Sequence, residues 1–286
     1  DGIYGYLYRP AGSGRYPAVL ILGGSNGGLY EWLAQAFASN GFAALTMAYF
    51  SYRDLPAELV EIPVERFERA TAWLKAQPGV RPERVGIAGG SRGGELALYL
   101  ASRSHDYRAV VAWTPGEHLW EGMSQEYFRP DYVPRSSWTL GGEPLPYLPW
   151  VATPEEKQLE LKGQLNSIVP LIRRALEQTD PARIEAARIR VENIHAPILL
   201  VSGTDDCTWP SGEFCEDVVA RLKAAGSRDE VKHVVLEGGG HPSFLPWLIT
   251  ANRGGGMDGG TPQANVRGGY RSWDETIAFL HRHLDR

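Results

Sequence analysis

Only two cysteines, Cys207 and Cys215, occur in 286 residues, too few for a disulfide framework. They leave the cellular compartment open and read as packing residues. Basic charge is also scarce. Twenty-nine Lys and Arg face 34 Asp and Glu, for a net charge of −5. That balance excludes a general nucleic-acid binder, which needs a basic surface. No apolar run approaches the roughly 18 residues of a membrane-spanning helix. No secretory signal pattern is present. The chain opens at Asp1 and not at methionine, so upstream sequence is expected to have been removed, cleaved or left out of this sequence. The expected location is cytoplasmic. What the chain does have is 43% hydrophobic against 22% charged residues, enough for a large core. Its length suits one α/β domain.

Strand-like and helix-like segments alternate. Residues 3–9, 17–22, 42–48, 84–88, 108–113, 197–202 and 231–236 read as strands, several of them continuous apolar runs. Residues 29–39, 64–77, 92–102, 213–225 and 273–284 read as helices, with apolar residues at helical spacing. Asn40-Gly41 ends the first of these. The alternation predicts a mostly parallel sheet with helices on both faces. Residues 116–195 break the rhythm between two core strands. The first half holds Trp120, Tyr127, Phe128, Tyr132, Trp138, Tyr147 and Trp150 among prolines. In the second half, Leu161, Leu165, Ile168, Ile172 and Leu176 recur at helical spacing, with Pro170 expected to kink or split the pattern. Asp180-Pro181 reads as the start of another helix. The segment is expected to be a cap inserted into a single domain spanning 1–286. It lies where an open α/β sheet binds ligands, so Trp120, Trp138 and Trp150 are its candidate substrate-binding residues. The competing reading is a peripheral insertion that only adds stability.

The strongest local signal is Gly89-Gly90-Ser91-Arg92-Gly93, between a strand and a helix. This is the setting a G-x-S-x-G nucleophile elbow requires. A tight turn needs small flanking residues and lifts the serine hydroxyl above the sheet at a helix N-terminus, where negative charge is favoured. A serine hydroxyl is a poor nucleophile without a base, and the base needs an orienting acid. Of seven histidines, only His241 directly follows a late strand, in Leu236-Glu237-Gly238-Gly239-Gly240-His241-Pro242. His281 and His283 are two apart on a helix and do not share a face, which argues against a metal pair.

The acid should follow the preceding strand, where Asp205 and Asp206 compete. A G-x-x-D-x-x-x-P spacing runs from Gly203 through Asp206 to Pro210 and selects Asp206, leaving Asp205 as a turn cap. The oxyanion hole should use the backbone N–H of Arg92 and a second from the loop Gly23-Gly24-Ser25-Asn26-Gly27-Gly28, with Ser25 ahead of Gly24. No GK[ST] follows that loop, so it is not a phosphate loop. Glu95, one turn past Ser91, reads as a structural acid. The glycine-rich segment 253–260 reads as a mobile loop.

Longer stretches carry a resemblance. GGSNGGLYEWLAQAFASNGFAALTMAYF, GIAGGSRGGELALYLAS, VENIHAPILLVSGTDDCTWPS and GGTPQANVRGGYRSWDETIAFLHRHL resemble the C-terminal catalytic domain of the acyl-CoA thioesterase and bile acid-CoA:amino acid N-acyltransferase family. That family is similar in turn to dienelactone hydrolases. The DD-x-x-WPS and GGTP-x-AN blocks are its specific part. The resemblance implies an α/β-hydrolase fold with Ser91 as nucleophile, Asp206 as acid and His241 as base, and it implies no cofactor or metal. The family's animal enzymes carry an N-terminal β-sandwich that is not in this sequence. Its amino acid-transferring member uses cysteine where this chain has Ser91, which favours hydrolysis over transfer. The expected partner is a small-molecule acyl thioester of the acyl-CoA kind, or a carboxylic ester or lactone with a bulky apolar acyl part. An anionic CoA would call on Arg92, Lys157, Lys162, Arg173 and Arg174. Amino acid acyl transfer and a non-catalytic binding module are the remaining readings.

Overall fold

The computed structural model describes residues 3–247 and 256–285. Ten strands occur among them: β1 (Tyr4–Tyr8), β2 (Tyr16–Leu22), β3 (Ala43–Ala48), β4 (Ile62–Pro63), β5 (Val80–Gly90), β6 (Ala109–Trp113), β7 (Trp138–Leu140), β8 (Glu143–Pro144), β9 (Ile198–Gly203) and β10 (Val231–Leu236). Seven form one sheet in the order β1-β3-β2-β5-β6-β9-β10. Only β1 runs antiparallel to its neighbour in that sheet.

The central strands are apolar throughout because both faces are covered. In β2, Ala18, Leu20 and Leu22 face one core and Val19 and Ile21 the other, as the period-2 alternation of a strand demands. Helices α1 (Glu31–Ser39) and α8 (Pro262–Leu284) cover the second face through Leu33, Phe37, Phe279 and Leu280. Helices α2 (Glu65–Lys75), α3 (Arg92–Arg103) and α7 (Ser211–Ala224) cover the first, through Phe67, Leu74, Leu96, Val218 and Leu222. The expected parallel sheet with helices on both faces is what forms.

Helix α8 starts 11 residues earlier than its apolar spacing indicated, at Pro262 instead of 273. Thr261 caps it by accepting from the Ala264 N–H at 3.2 Å, and Pro262 fits the first turn. Gly268 and Gly269 obscure this extension in the sequence, since glycine weakens a helix interior. Their role is tertiary. A methyl group at Gly269 would strike the Leu245 carbonyl oxygen, so the bare backbone lets α8 lie against the turn that follows β10.

The insertion holds the two short strands β7 and β8 and the helices α4 (Pro154–Leu161), α5 (Val169–Gln178) and α6 (Pro181–Ala187). Pro170 does split the helical pattern: it sits in the first turn of α5, and Gly163 with φ 65° closes α4. Leu161 is therefore exposed, while Ile172 and Ala175 join a cluster with Trp120, Leu148, Trp209 and Phe214. That cluster seats the insertion on the segment leading from β9 into α7.

Candidate active site

Ser91 stands between the last residue of β5 and the first of α3. Its backbone is held at φ 56° and ψ −123°, a region that non-glycine residues rarely enter. The Ser91 N–H donates to the Trp113 carbonyl at 2.8 Å, which locks the turn onto β6. A methyl group at Gly89 would strike the Gly93 carbonyl, and one at Gly93 would strike the Gly23 carbonyl. The small flanking residues are thus a steric requirement. As the first helical residue, Arg92 has no intrahelical acceptor for its N–H.

The two aspartates after β9 separate cleanly. Asp205 is exposed and serves the turn: its N–H donates to the Gly239 carbonyl at 2.9 Å, and its carboxylate accepts from Thr204 at 3.2 Å. The Asp206 side chain is 1% exposed. Its Oδ1 accepts the backbone N–H groups of Thr208 and Trp209, both at 2.9 Å, and its Oδ2 accepts the Ser211 hydroxyl at 2.6 Å. His241 Nδ1 lies 3.0 Å from Oδ2.

His241 opens a short turn, His241–Phe244, which packs against α8. Phe244 covers Gly90, where a methyl group would collide with its ring. The same ring stacks on Trp113, with centroids 5.6 Å apart and planes 9° apart. The histidine turn and the serine elbow therefore meet on one aromatic side chain. On the opposite side lies the loop after β2. Tyr49 donates its hydroxyl to the Gly23 carbonyl, and a methyl group at Gly24 would be 3.5 Å from the Ser91 Cβ. The Gly24 N–H donates to the Tyr30 hydroxyl at 3.3 Å, so this amide is engaged and Gly24 is corrected as an oxyanion donor. Ser25 lines the cavity above Ser91.

That cavity has a volume of about 390 Å³. Core residues Ser25, Ser91 and Trp209 line it, and the insertion contributes Met123, Tyr127, Phe128, Trp150, Ile168 and Leu171. Of the three predicted tryptophans, only Trp150 faces it. Trp120 is fully buried and stacks behind Trp150, with centroids 5.1 Å apart. Trp138 is fully buried beneath the elbow helix, where its Nε1 donates to Glu95 at 2.9 Å and its ring meets Phe67 edge-on. Both are corrected from ligand-facing to supporting residues: Trp138 because its interior indole N–H finds an acceptor in Glu95, and Trp120 because ring packing encloses it behind Trp150.

The Arg92 side chain also turns inward. It pairs with Glu95 at 2.7 Å and donates to the Trp120 carbonyl at 3.0 Å. Burial raises the Glu95 carboxyl and Arg92 opposes that rise. Glu95 is thus the structural acid expected. The other predicted CoA-binding cations are mostly engaged. Arg174 grips Glu156 at 2.8 and 2.9 Å, Arg173 pairs with Glu213, and Lys157 lies over the Tyr127 ring at 4.1 Å. Lys162 is exposed. The cavity itself receives two carboxylates, Glu58 and Glu160, and burial raises the latter.

Sequence reasoning did not single out three neighbours of the site: Ser211, Trp209 and Asn265. Trp209 Nε1 lies 3.3 Å from Ser91 Oγ. Asn265 accepts the Gly240 N–H at 2.7 Å and donates to the Gly259 carbonyl at 3.3 Å. All three belong to the DD-x-x-WPS and GGTP-x-AN blocks, so the signal was the blocks themselves. Part of the glycine-rich segment, 253–255, lies outside the described residues. Gly256–Asp258 form a single turn, and Gly259 bridges to Asp206.

Residues 62–286 match the family model described as BAAT / Acyl-CoA thioester hydrolase C terminal. The chain belongs to this family. Acyl-coenzyme A thioesterase 3 of Mus musculus is 30% identical over 289 residues, covering 98% of this chain and 61% of the relative. Acyl-coenzyme A thioesterase 1 of Homo sapiens is 29% identical, covering 99% of this chain and 63% of the relative. Acyl-coenzyme A amino acid N-acyltransferase 1 of Mus musculus is 28% identical, with coverages of 99% and 63%. The chain spans less than two thirds of the length of the curated relatives it matches. Its fold is that of the α/β-hydrolases. An acylaminoacyl peptidase of Pyrococcus horikoshii aligns with a TM-score of 0.62 at 15% identity, covering 99% of this chain and 39% of that one. An α/β hydrolase from Penicillium sp. sh18 aligns with a TM-score of 0.57 at 16% identity and full coverage of both chains. No described helix is long and apolar enough to cross a membrane.

Proposed function

We propose that this domain is a serine hydrolase cleaving acyl thioesters through an acyl-enzyme. The observation that carries the reading is His241 Nδ1 held 3.0 Å from a buried Asp206, on a turn packed against the strained Ser91 elbow. Ser91 Oγ attacks the acyl carbonyl while His241 Nε2 takes its proton. Asp206 fixes the imidazole tautomer and supports its charged form. The amides of Arg92 and Ser25 hold the oxyanion, a preorganised arrangement in which each donor is typically worth on the order of 10²–10³ in rate. His241 protonates the departing thiol, then activates water for deacylation. The aromatic insertion, through Trp150 and its neighbours, receives the acyl part.

A second reading, a carboxylic ester or lactone hydrolase, is favoured by the cavity's charge. Glu58 and Glu160 line it, and the one cation lining it among the described residues, Arg92, is neutralised by Glu95. Such a lining suits a neutral substrate better than a polyanionic one.

The test has two parts. A fluorophosphonate probe should label the wild type at Ser91 and leave Ser91→Ala unlabelled. A panel of acyl-CoA esters, aryl esters and lactones, with glycine and taurine added in parallel, then ranks the substrates. An unlabelled wild type would support the binding-module reading, and amide products would support acyl transfer.

A further inference from the structure

Trp209 touches two of the three groups assigned to the chemistry. Its backbone N–H donates to Asp206 Oδ1 at 2.9 Å, and its indole Nε1 reaches Ser91 Oγ at 3.3 Å. The ring is 1% exposed and held on several sides: Trp120 at 5.8 Å, Trp150 at 5.9 Å and Phe214 at 6.2 Å between centroids. It has no freedom to swing away from the serine. An indole N–H is a donor without acceptor capacity, and a serine hydroxyl has one proton and two lone pairs. The indole therefore binds one lone pair of Oγ and leaves the hydroxyl proton for a base.

We propose that Trp209 is a catalytic residue whose indole N–H stabilises negative charge on Ser91 Oγ. The proposal rests on Ser91 being the nucleophile. In acylation, the Oγ–H proton passes to His241, the Oγ–C bond forms and the carbonyl pair moves to the oxyanion; as that pair returns, the C–S bond breaks and the thiolate leaves with the proton from His241. In deacylation, water adds to the carbonyl carbon and gives a proton to His241. Collapse then breaks the C–Oγ bond, and Oγ takes the bonding pair and regains the proton from His241. Oγ carries partial negative charge at the start of the first half and at the end of the second. The indole N–H is aimed at that atom in both and is never itself transferred. A hydrogen bond to a charged oxygen is stronger than one to a neutral hydroxyl, so the contact tightens in the transition state. The stacked Trp120 and Trp150 aim the donor, which gives the insertion a part in the chemistry as well as in substrate binding.

The experiment uses Trp209→Phe, which keeps an aromatic ring in the cluster and deletes the N–H. A second variant carries benzothienylalanine at position 209, replacing the N–H by sulfur in a ring of the same shape. The rate of fluorophosphonate labelling at Ser91 is measured, with kcat and kcat/KM for a short and a long acyl ester of one leaving group. Labelling and turnover should fall together by roughly tenfold to a hundredfold, the scale of one charged hydrogen bond, and equally for both acyl lengths. Rates within twofold of wild type in the sulfur variant would overturn the proposal. So would a loss confined to the long ester, which would make Trp209 only a wall of the acyl pocket. Failure of the underlying reading looks different: Ser91→Ala would retain turnover and the wild type would not label at Ser91.

Discussion

The Gly240 N–H donates to Oδ1 of Asn265 at 2.7 Å, one residue before His241. Asn265 is 1% exposed and sits in the first turn of α8, and its Nδ2 holds the Gly259 carbonyl. Gly259 in turn bridges to Asp206. One amide side chain thus connects the backbone that carries the base to the backbone beside the acid. Asn265→Leu should leave the Gly240 donor buried and unpaired, at about 1–3 kcal/mol. The expected result is a lower Tm and a kcat reduced by roughly tenfold, with KM little changed. A variant with wild-type kcat would show that the histidine turn holds itself in place.

Ser91→Ala should lower kcat by at least roughly 10³-fold and leave the fold intact, as expected for losing a nucleophile. The positive φ of Ser91 adds a second expectation. Ser91→Gly should be equally inactive but about 1 kcal/mol more stable than Ser91→Ala, because glycine enters this region without a Cβ penalty. Thermal unfolding of the two variants side by side checks it.

Asp206→Asn should be far more damaging than Asp205→Asn. The amide at 206 favours the wrong imidazole tautomer, with a precedent on the order of 10⁴ in rate. Asp205 is exposed and serves only its turn. Steady-state kinetics of both variants decides the assignment, and the reverse ranking would move the acid to Asp205.

Trp150 and Trp138 should now part company. Trp150 lines the cavity, so Trp150→Ala should raise KM for bulky acyl substrates, by up to about 2–3 kcal/mol of lost burial, and spare an acetyl ester. Trp138 is core, so Trp138→Ala should cost about 3–5 kcal/mol of stability and show no dependence on acyl length. A kcat/KM series over acyl length, beside denaturant unfolding, separates the two.

Glu117 makes a pH prediction. Burial pushes its carboxyl up to about 9, and the Asp217 carboxylate adds to the rise; Arg188 and Arg221 oppose it. Its neighbour His118 is fully buried and pushed down to about 3, so it remains neutral across this range. Between the ordinary carboxylate value and about 9, the folded chain keeps a proton on Glu117 that the unfolded chain has lost. Stability therefore falls as pH rises through that window. Glu117→Gln removes the titration. Its Tm should exceed the wild type's at pH 8 and match it at pH 4. A lower Tm at pH 8 would mean that Glu117 is ionised and paired with Arg188.

The local grammar of the chain was sufficient for the sheet and for the turns that carry Ser91, Asp206 and His241, the residues proposed here for the chemistry. Each depends on contacts within a few residues: apolar runs between glycines, small residues around Ser91, and the spacing from Gly203 to Pro210. The tertiary structure decided what depends on distant partners. Trp138 and Trp150 are both large aromatics in one insertion, and nothing local tells them apart. Glu95, 43 residues earlier, draws the first inward, while Trp120 backs the second at the cavity wall. The Arg92 side chain was legible as a cation but not as a buried one, because its partners come from the insertion as well as its own helix. Gly24 has a free amide in the sequence and an engaged one once Tyr30 folds over it. A polar group's role is set by the donor or acceptor that packing places beside it, and packing is a property of the whole chain.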